Sequence, residues 1–458
     1  MPLAVGLGLV AVALVVYTVA HPYRFYNHFV WQADAFLHGR AAIDYPVAAT
    51  DENHGNDFFQ DVLPILNSDG TSTGRGLVPF PPLPAVLLVP FVAIWGLATN
   101  DQLIAGVLGA ADVGVAWWML GRVGVGFRAR LATAVFFGFG TVFWYTAQLG
   151  TTWYFAHVVA VGLTLGAVGV ALGRDPASVD ADNPSPRHCG DGAIASVRDL
   201  IDGPQFLAGL LFGLAGTARL SVLLGAPFFA FVGGGGTWQR RALSAGLGAA
   251  IPVAALLLYN LVATGSVVHP AYEFLYRQEA LGYPSLNYHA DWSIEDLRYI
   301  PQNLQIALLS LPVLFPDHVP AALGGGDALC AVAGATRGLF DPTCPIALPR
   351  DTGMSILVSS PAFLLVAPAL RSLYARSRLV TGAAIAIVLI ALVNLMHFSQ
   401  GWVQVGYRFS NDFIPFALPL VAIGAERMRQ HRRLVGGLVV LSVAVNFWGV
   451  AMGDLLGW

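Results

Sequence analysis

Long apolar runs are the feature that most restricts how this chain can fold. Several of them reach about 20 residues, the length that an α-helix needs to cross a bilayer core of ~30 Å. Of the 458 residues, 56% are hydrophobic and 11% are charged, against about 25% charged residues in soluble domains. A membrane barrel would instead show alternating segments of about 10 residues. The sequence therefore predicts an all-α polytopic membrane protein.

The placement of arginines predicts the orientation of the helices, because cytoplasmic loops carry an excess of basic residues. Arginine-bearing segments and the polar stretch 173–205 are assigned to the cytoplasm. Because successive transmembrane helices cross the membrane in alternating directions, two large loops are then predicted to lie outside, 21–102 and 260–352. The same alternation predicts about eleven transmembrane helices. Two proline-bounded apolar stretches in these loops, 82–95 and 304–315, are predicted to lie in the membrane interface. The predicted spans are 3–20, 103–121, 131–147, 156–172, two crossings within 206–236, 242–259, 353–370, 379–397, 413–426 and 434–452.

Cysteines, net charge and missing motifs exclude several classes of protein. No two of the three cysteines, Cys189, Cys330 and Cys344, have zinc or redox spacing. Cys330 and Cys344 share the second outer loop, where an oxidising compartment permits either a disulfide or two free thiols. The formal net charge of −3 gives no reason to expect nucleic acid as a partner. The absence of a phosphate loop, HExxH and GxSxG argues against nucleotide-driven machines and common hydrolases.

The first outer loop concentrates acids among aromatic residues. A plain connector rarely carries so many Trp, Tyr, Phe and His side chains, and a carboxylate can act as a general base. Asp34 and Asp57 are therefore the candidate catalytic residues, and Asp61 would share a helical face with Asp57. The alternative for any one of these acids is a solvated loop side chain. The acids are Asp34, Asp44, Asp51, Glu52, Asp57, Asp61 and Asp69.

Arginines at predicted outer helix ends form a second group of candidates. Arg24, Arg219 and Arg408 lie at such ends, and a guanidinium group can bind a phosphate through two donors at once. The alternative for all three is anchoring at the membrane interface. For Arg408, which follows Tyr407, a structural pair with Asp412 is a further alternative. Arg219, Arg408 and Tyr407 are predicted to bind substrate, as is Asp61.

Two further ionisable residues belong to predicted helices. His157 begins the fourth span beside Trp153 and Tyr154, and it is a candidate substrate-binding residue, although a lone interfacial histidine is usually structural. Asp112 is predicted to lie in the middle of the second span. An acid inside the membrane is a functional candidate by default, but the sequence offers Asp112 no obvious partner.

Five stretches of the chain resemble motifs of the GT-C superfamily of integral-membrane glycosyltransferases, especially its protein-mannosyltransferase-like and aminoarabinose-transferase-like branch. They occur in the family's order and are spread over most of the chain. The resemblance places Arg219 and Arg408 at the arginines of two of these motifs. The stretches are HFVWQADAFLHGR (28–40), VPFPPLPAVLLVPFVAIWG (78–96), FLAGLLFGLAGTARLSVLL (206–224), YNLVATGSVVHPAY (259–272) and GYRFSNDFIPFALPL (406–420).

The resemblance implies one GT-C-like transmembrane domain, 1–458, in the plasma membrane with an active site that faces outward. It implies transfer of a sugar from a polyprenyl-phosphate donor, within the membrane lipid, to a glycan, lipid or protein acceptor. Some relatives use a divalent metal, and the sequence neither requires nor excludes one. No other cofactor is implied.

One departure from the family's pattern concerns the base. The family has an Asp-Glu pair just after its first helix, whereas this chain has Arg-Phe-Tyr-Asn-His at 24–28. The base must then be another acid, such as Asp34 or Asp57. The main alternative function is a transporter or flippase of lipid-linked sugars, for which Asp112 would be the charged residue at the midplane. A noncatalytic scaffold is a further alternative.

Overall fold

A computed structural model describes most of the chain, with gaps in both outer loops and in the predicted cytoplasmic loop. Arg24, Asp51, Glu52, Asp57 and Cys189 lie outside the described residues. The described residues are 2–19, 26–44, 61–173, 201–234, 236–273, 276, 289, 291–319, 326–332, 334–375, 377–401 and 403–458.

The described part is mostly helical. Several helices begin at a side-chain cap: Asn100 accepts a hydrogen bond from Leu103 N (2.9 Å) and Asp202 accepts one from Gln205 N (2.9 Å). The helices are α1 (Pro2–Thr18), α2 (His28–Leu37), α3 (Leu83–Trp95), α4 (Asp101–Leu120), α5 (Phe127–Phe139), α6 (Phe143–Leu149), α7 (Thr152–Leu172), α8 (Gly203–Gly216), α9 (Phe228–Phe231), α10 (Trp238–Thr264), α11 (Ile300–Leu309), α12 (Ile356–Ser359), α13 (Val366–Leu370), α14 (Arg378–Met396), α15 (Ser410–Arg427) and α16 (Arg432–Leu455).

Five helices are long and apolar enough to cross a membrane: α4, α7, α10, α14 and the helical stretch Arg429–Leu455 that contains α16. The prediction of a helical membrane protein is therefore confirmed by length and composition. Several other apolar helices are shorter, among them α1 and α8. The count of eleven spans stays a prediction.

Two predicted spans are interrupted, which corrects their description as single helices. The predicted span 131–147 is divided at Gly140, where α5 ends and Thr141 Oγ1 accepts a hydrogen bond from Phe143 N (3.2 Å) before α6. The predicted span 353–370 is divided into α12, a 3₁₀ turn that begins at Pro361, and α13. Proline has no N–H to continue a helical ladder, and the following amide of Ala362 bonds to Ser442 Oγ (3.0 Å) instead.

The core of the molecule is centred on α7, the most buried of the five long helices. It packs against α4, α8 and α15. Close approach to α4 depends on glycines of α7: a Cβ on Gly162 would overlap the carboxylate of Asp112, and one on Gly169 would overlap the ring of Trp118. Small residues commonly permit such close packing between membrane helices.

The first outer loop contains a small antiparallel sheet that the sequence analysis did not predict. Its strands are β1 (Ile43–Asp44), β2 (Leu63–Leu66) and β3 (Ser72–Leu77), in the order β1-β3-β2. The exposed carboxylate of Asp44 accepts hydrogen bonds from Arg40 Nη1 (2.6 Å) and Arg75 Nε (3.0 Å) of the same loop. This acid therefore has a local, solvated role.

The second predicted outer loop packs on the C-terminal half of α16. It includes α11 and a hairpin of β4 (Val313–Leu314) with β5 (Ala347–Leu348). A disulfide joins Cys330 to Cys344, which settles the pairing that the sequence left open. The ring of Phe340 lies 5.9 Å from that of Phe447 on α16. The loop is thus fixed against a membrane helix.

Candidate functional site

The carboxylate of Asp412 is the centre of a buried polar cluster, and its side chain is 1% exposed. Arg219 donates from Nε to Oδ1 (3.3 Å) and from Nη2 to Oδ2 (3.1 Å). Oδ2 also accepts hydrogen bonds from Ser221 Oγ (2.7 Å) and Asn394 Nδ2 (3.1 Å). His157 Nδ1 lies 3.0 Å from Oδ1. A buried charge needs such partners because it has lost its hydration.

Five elements bring these side chains together at one end of the helices. Asp412 lies in the first turn of α15, where a negative charge interacts favourably with the helix dipole. His157 lies near the start of α7, and Asn394 lies in the last turn of α14. Arg219 has an extended backbone shortly after the end of α8, and Ser221 lies in the 3₁₀ turn that follows. The site therefore depends on packing between segments that are distant in sequence.

Two guanidinium groups lie beside the same aromatic ring. The Cζ atoms of Arg219 and Arg408 are each 5.3 Å from the ring centre of Phe409, and Arg408 is also 5.5 Å from the ring of Tyr154. The side chain of Arg219 remains 24% exposed. A guanidinium group has five N–H donors, so Arg219 keeps donors beyond those that bond to Asp412. The arrangement offers a forked, positively charged surface to an anion.

Asp61 connects the first outer loop to this surface. It is 3% exposed and accepts a hydrogen bond from Trp153 Nε1 (2.8 Å). Burial raises the pKa of Asp61 to about 6, although the bond from Trp153 and the positive charge of Arg408 oppose the rise. Burial also raises the pKa of Tyr272 to about 12, and Tyr272 is close enough to Arg219 and Asp61 to feel both charges. A carboxylate with a raised pKa thus lies near Arg408.

The structure gathers most of the predicted substrate-binding residues into one neighbourhood. Arg219 and His157 contact Asp412, while Arg408 and Tyr407 flank Phe409. The ring of Tyr407 is 6.1 Å from that of Phe409, and its buried hydroxyl has no hydrogen-bond partner among the described residues. Asp61 reaches the same neighbourhood through its interaction with Arg408. The roles of these residues remain predictions.

Of the two predicted catalytic acids, Asp34 is not part of this cluster. Asp34 lies on α2 with its side chain 27% exposed, and its carboxylate is 3.6 Å from Nδ1 of His38. Asp57 lies outside the described residues. Both therefore remain candidates by sequence position only.

The suggested pair between Arg408 and Asp412 is wrong. Arg408 lies in the turn before α15 begins at Ser410, so the two side chains do not share a helical face. Arg408 is placed against Tyr154 and Phe409, and Asp412 binds Arg219. The central role of Asp412 was missed, although an acid just inside an apolar helix is itself a signal of function.

Asp112 is buried away from these residues, between α4 and α7. Its Oδ2 has no hydrogen-bond partner among the described residues. The described ranges contain no group of three or more His, Cys, Asp or Glu side chains that could hold a metal ion. The residues that the structure describes therefore do not fit a divalent metal.

Three solved structures show a weak likeness to this fold. They include an oligosaccharyltransferase from Archaeoglobus fulgidus tethered with an acceptor peptide (14% identity, TM-score 0.47), its apo form (12%, 0.44), and the oligosaccharyltransferase AglB with an inhibitory peptide and a dolichol-phosphate (12%, 0.43). The matches cover 98% of this chain but only 55–56% of the archaeal chains, so this chain spans little more than half their length.

These archaeal proteins belong to the GT-C superfamily, which is the superfamily that the sequence motifs resemble. No protein-family model matches the sequence, and no curated protein matches it.

Proposed function

We propose that the chain is a membrane glycosyltransferase that moves a sugar from a polyprenyl-phosphate donor to an acceptor at the outer face of the plasma membrane. One observation carries the proposal. Arg219 and Arg408 lie beside the ring of Phe409, and the buried Asp412 fixes the orientation of Arg219. This geometry suits a phosphate held at the ends of the apolar helices, where the head group of a lipid-linked donor would lie.

The same arginines would assist the reaction as well as binding. Transfer converts a phosphodiester with one negative charge into a phosphate monoester with up to two. Fixed positive groups stabilise the developing charge more strongly than the starting charge, and this difference is what accelerates a reaction. The hydrogen bonds between Arg219 and Asp412 hold the guanidinium group in place before the substrate arrives.

A carboxylate must also accept the proton of the acceptor. Among the described acids, we infer that Asp61 is the best placed, because it lies near Arg408 and its pKa is raised to about 6. A general base is most effective when its pKa is near the working pH. Asp34 and Asp57 remain the alternatives. The acceptor class, whether glycan, lipid or protein, stays open.

Two observations support the outward orientation. Arg378 and Arg427 lie at the ends of α14 and α15 that are opposite to Asn394 and Asp412, and cytoplasmic helix ends carry the excess of basic residues. The disulfide between Cys330 and Cys344 lies in the second predicted outer loop, and disulfides persist in oxidising compartments. The proposed site lies at the helix ends that carry the two outer loops.

The test is to incubate the purified protein in lipid vesicles with a panel of polyprenyl-phosphate sugars and candidate acceptors. We expect one donor to be consumed, with polyprenyl phosphate and a glycosylated acceptor as products. A transporter or flippase, the second candidate, would instead move an intact donor across the bilayer. Donors that stay intact but move from one leaflet to the other would contradict the transferase and favour the transporter or flippase. The buried Asp112 is the observation that supports this second candidate.

Gly401 provides a test of Arg408 that leaves the arginine itself unchanged. A Cβ at Gly401 would lie 2.5 Å from Nε of Arg408, and the backbone φ of Gly401 is +88°. Gly401→Ala should therefore displace the guanidinium group and weaken donor binding by about 10-fold or more, since a hydrogen bond to a charged group contributes about 1.5–3 kcal/mol. The measurement is donor affinity by equilibrium binding.

The matched control is Gly334→Ala in the second outer loop. Gly334 has a similar backbone φ of +82°, and its Cβ would meet nothing within 4 Å. This variant carries the backbone strain without the contact to Arg408, so its donor affinity should match that of wild type. Equal affinities for both variants would contradict a role for Arg408 in donor binding.

A further inference from the structure

His157 has two buried ring nitrogens, and neither makes a hydrogen bond among the described residues. Its Nδ1 lies 3.0 Å from Asp412 Oδ1, and its side chain is 1% exposed. An ionised carboxylate only accepts hydrogen bonds, so its approach to Nδ1 favours a hydrogen on that nitrogen, and Nε2 of the neutral ring is then an acceptor. Nε2 is buried and has no hydrogen-bond partner among the described residues. A buried acceptor of this kind calls for a donor that arrives with a ligand.

Nε2 of His157 belongs to the proposed phosphate site. The imidazole ring of His157 lies 6.2 Å from the ring of Phe409, the same ring that Arg219 and Arg408 flank. The charged groups that act on His157 are Asp412 on α15, Arg219 after α8 and Arg408 before α15. Burial opposes a positive charge on the ring most strongly, the two arginines add to that opposition, and Asp412 favours the charge. An anion bound to the arginines would remove the part of the opposition that comes from them.

We propose that His157 takes up one proton when a phosphate monoester binds at Arg219 and Arg408, and that it thereby distinguishes the monoester product from the diester donor. The inference rests on the proposed function, since it assumes that the phosphate of a polyprenyl carrier occupies this site. A diester has one ionised oxygen at neutral pH. A monoester has a second ionisable oxygen, and this oxygen is the partner that Nε2 lacks.

The reaction balances as follows. The bond between the sugar C1 and the phosphate oxygen breaks, and a bond forms between C1 and the oxygen of the acceptor hydroxyl. The proton of that hydroxyl moves to the carboxylate base. The departing phosphate changes from a monoanionic diester to a dianionic monoester, and one proton from solvent is then shared between the monoester oxygen and Nε2. The proton count is the same whichever of the two atoms carries it.

Asp412 is the positioning residue in this scheme. Its Oδ1 lies 3.0 Å from Nδ1, so Nε2 is the nitrogen left for the phosphate, and it supplies a negative charge that favours a protonated ring. Proton uptake accompanies binding of the monoester and not of the diester. The site should therefore bind the monoester product more tightly as the pH falls. Donor binding should show no such dependence on His157.

The test measures protons directly. The full chain in lipid nanodiscs is titrated by calorimetry at pH 7.5 with farnesyl phosphate, a monoester, and with its methyl diester. Buffers of different ionisation enthalpy give the number of protons bound. When the monoester binds, wild type is expected to bind up to about one proton more than His157→Asn does. By linkage, the number of protons bound sets the pH dependence of monoester affinity. The diester should show no difference.

Two variants keep the test decisive. Asn at this position retains an N–H donor toward Asp412 but removes Nε2, and Gln places an amide near Nε2 that cannot take up a proton. A purely structural histidine would change the affinity or stability of these variants without changing the proton count. If wild type and a folded variant take up the same number of protons, this inference is overturned, while the proposed function is not affected. Failure of wild type to bind either phosphate ester would overturn the proposed function and this inference with it.

Discussion

Asp412→Asn should lower the turnover of donor by about 10²–10³-fold, the loss that follows removal of one fixed electrostatic partner in an active site. The amide keeps the size of the carboxylate but loses the charge that binds Arg219 through two hydrogen bonds. Arg219 would then be free to turn away from the donor phosphate. The measurement is single-turnover consumption of donor, with thermal unfolding recorded in parallel because a broken buried ion pair also costs stability.

Asp454→Asn is the matched control for Asp412→Asn. Asp454 is also an acid near the end of a long helix, where it accepts a hydrogen bond from Gln148 Nε2 (3.1 Å), but it does not belong to the Asp412 cluster. Its amide variant should turn over donor at close to the wild-type rate. If Asp412→Asn is folded and reacts like Asp454→Asn, the cluster has no part in catalysis.

Asp61→Asn should lower turnover by about 10²–10⁴-fold, the usual contribution of a general base. The amide can still accept the hydrogen bond from Trp153 Nε1, so packing should be retained. The pH profile offers a second readout. Since burial raises the pKa of Asp61 to about 6, the wild-type rate should fall as the pH drops below that value and the carboxylate binds a proton. The variant should lose this dependence.

Asp34→Asn is the natural comparison, because Asp34 is the sequence-based candidate that the structure describes. Asp44→Asn, at an exposed acid paired with Arg40 and Arg75, provides the neutral control. A large loss in Asp34→Asn, together with wild-type turnover and pH dependence in Asp61→Asn, would transfer the role of base to Asp34. If none of the three variants is affected, Asp57 becomes the remaining candidate.

The sequence was sufficient to predict the membrane class and most of the side chains of the site. Arg219, Arg408 and His157 were predicted from their positions at the outer ends of apolar runs, and the structure places all three around Phe409. They come together because charged residues at the ends of membrane helices are few and must find partners there, and their role in binding stays a prediction.

The details that failed depend on information that periodicity does not contain. A pair between Asp412 and its sequence neighbour Arg408 was left open as an alternative, because nothing local shows that Arg219, 193 positions away, reaches the same carboxylate. The break at Gly140 was missed because an apolar composition continues through it. The small sheet of the first loop was missed because its strands are short, and β2 and β3 pair through a turn of ordinary polar residues.

The affinity of the donor for Arg219→Lys tests the central claim most directly. Lysine keeps the positive charge but loses the planar fork that binds both Asp412 and a phosphate. We expect the purified variant in nanodiscs to bind the consumed polyprenyl-phosphate sugar at least about 10-fold more weakly than wild type, as the loss of a charge-assisted hydrogen bond implies. Arg427→Lys, at a helix end where the arginine bonds to Pro368 O (2.7 Å), should bind donor normally. Unchanged donor affinity in folded Arg219→Lys and Arg219→Ala would contradict the claim and leave Arg219 as a structural partner of Asp412.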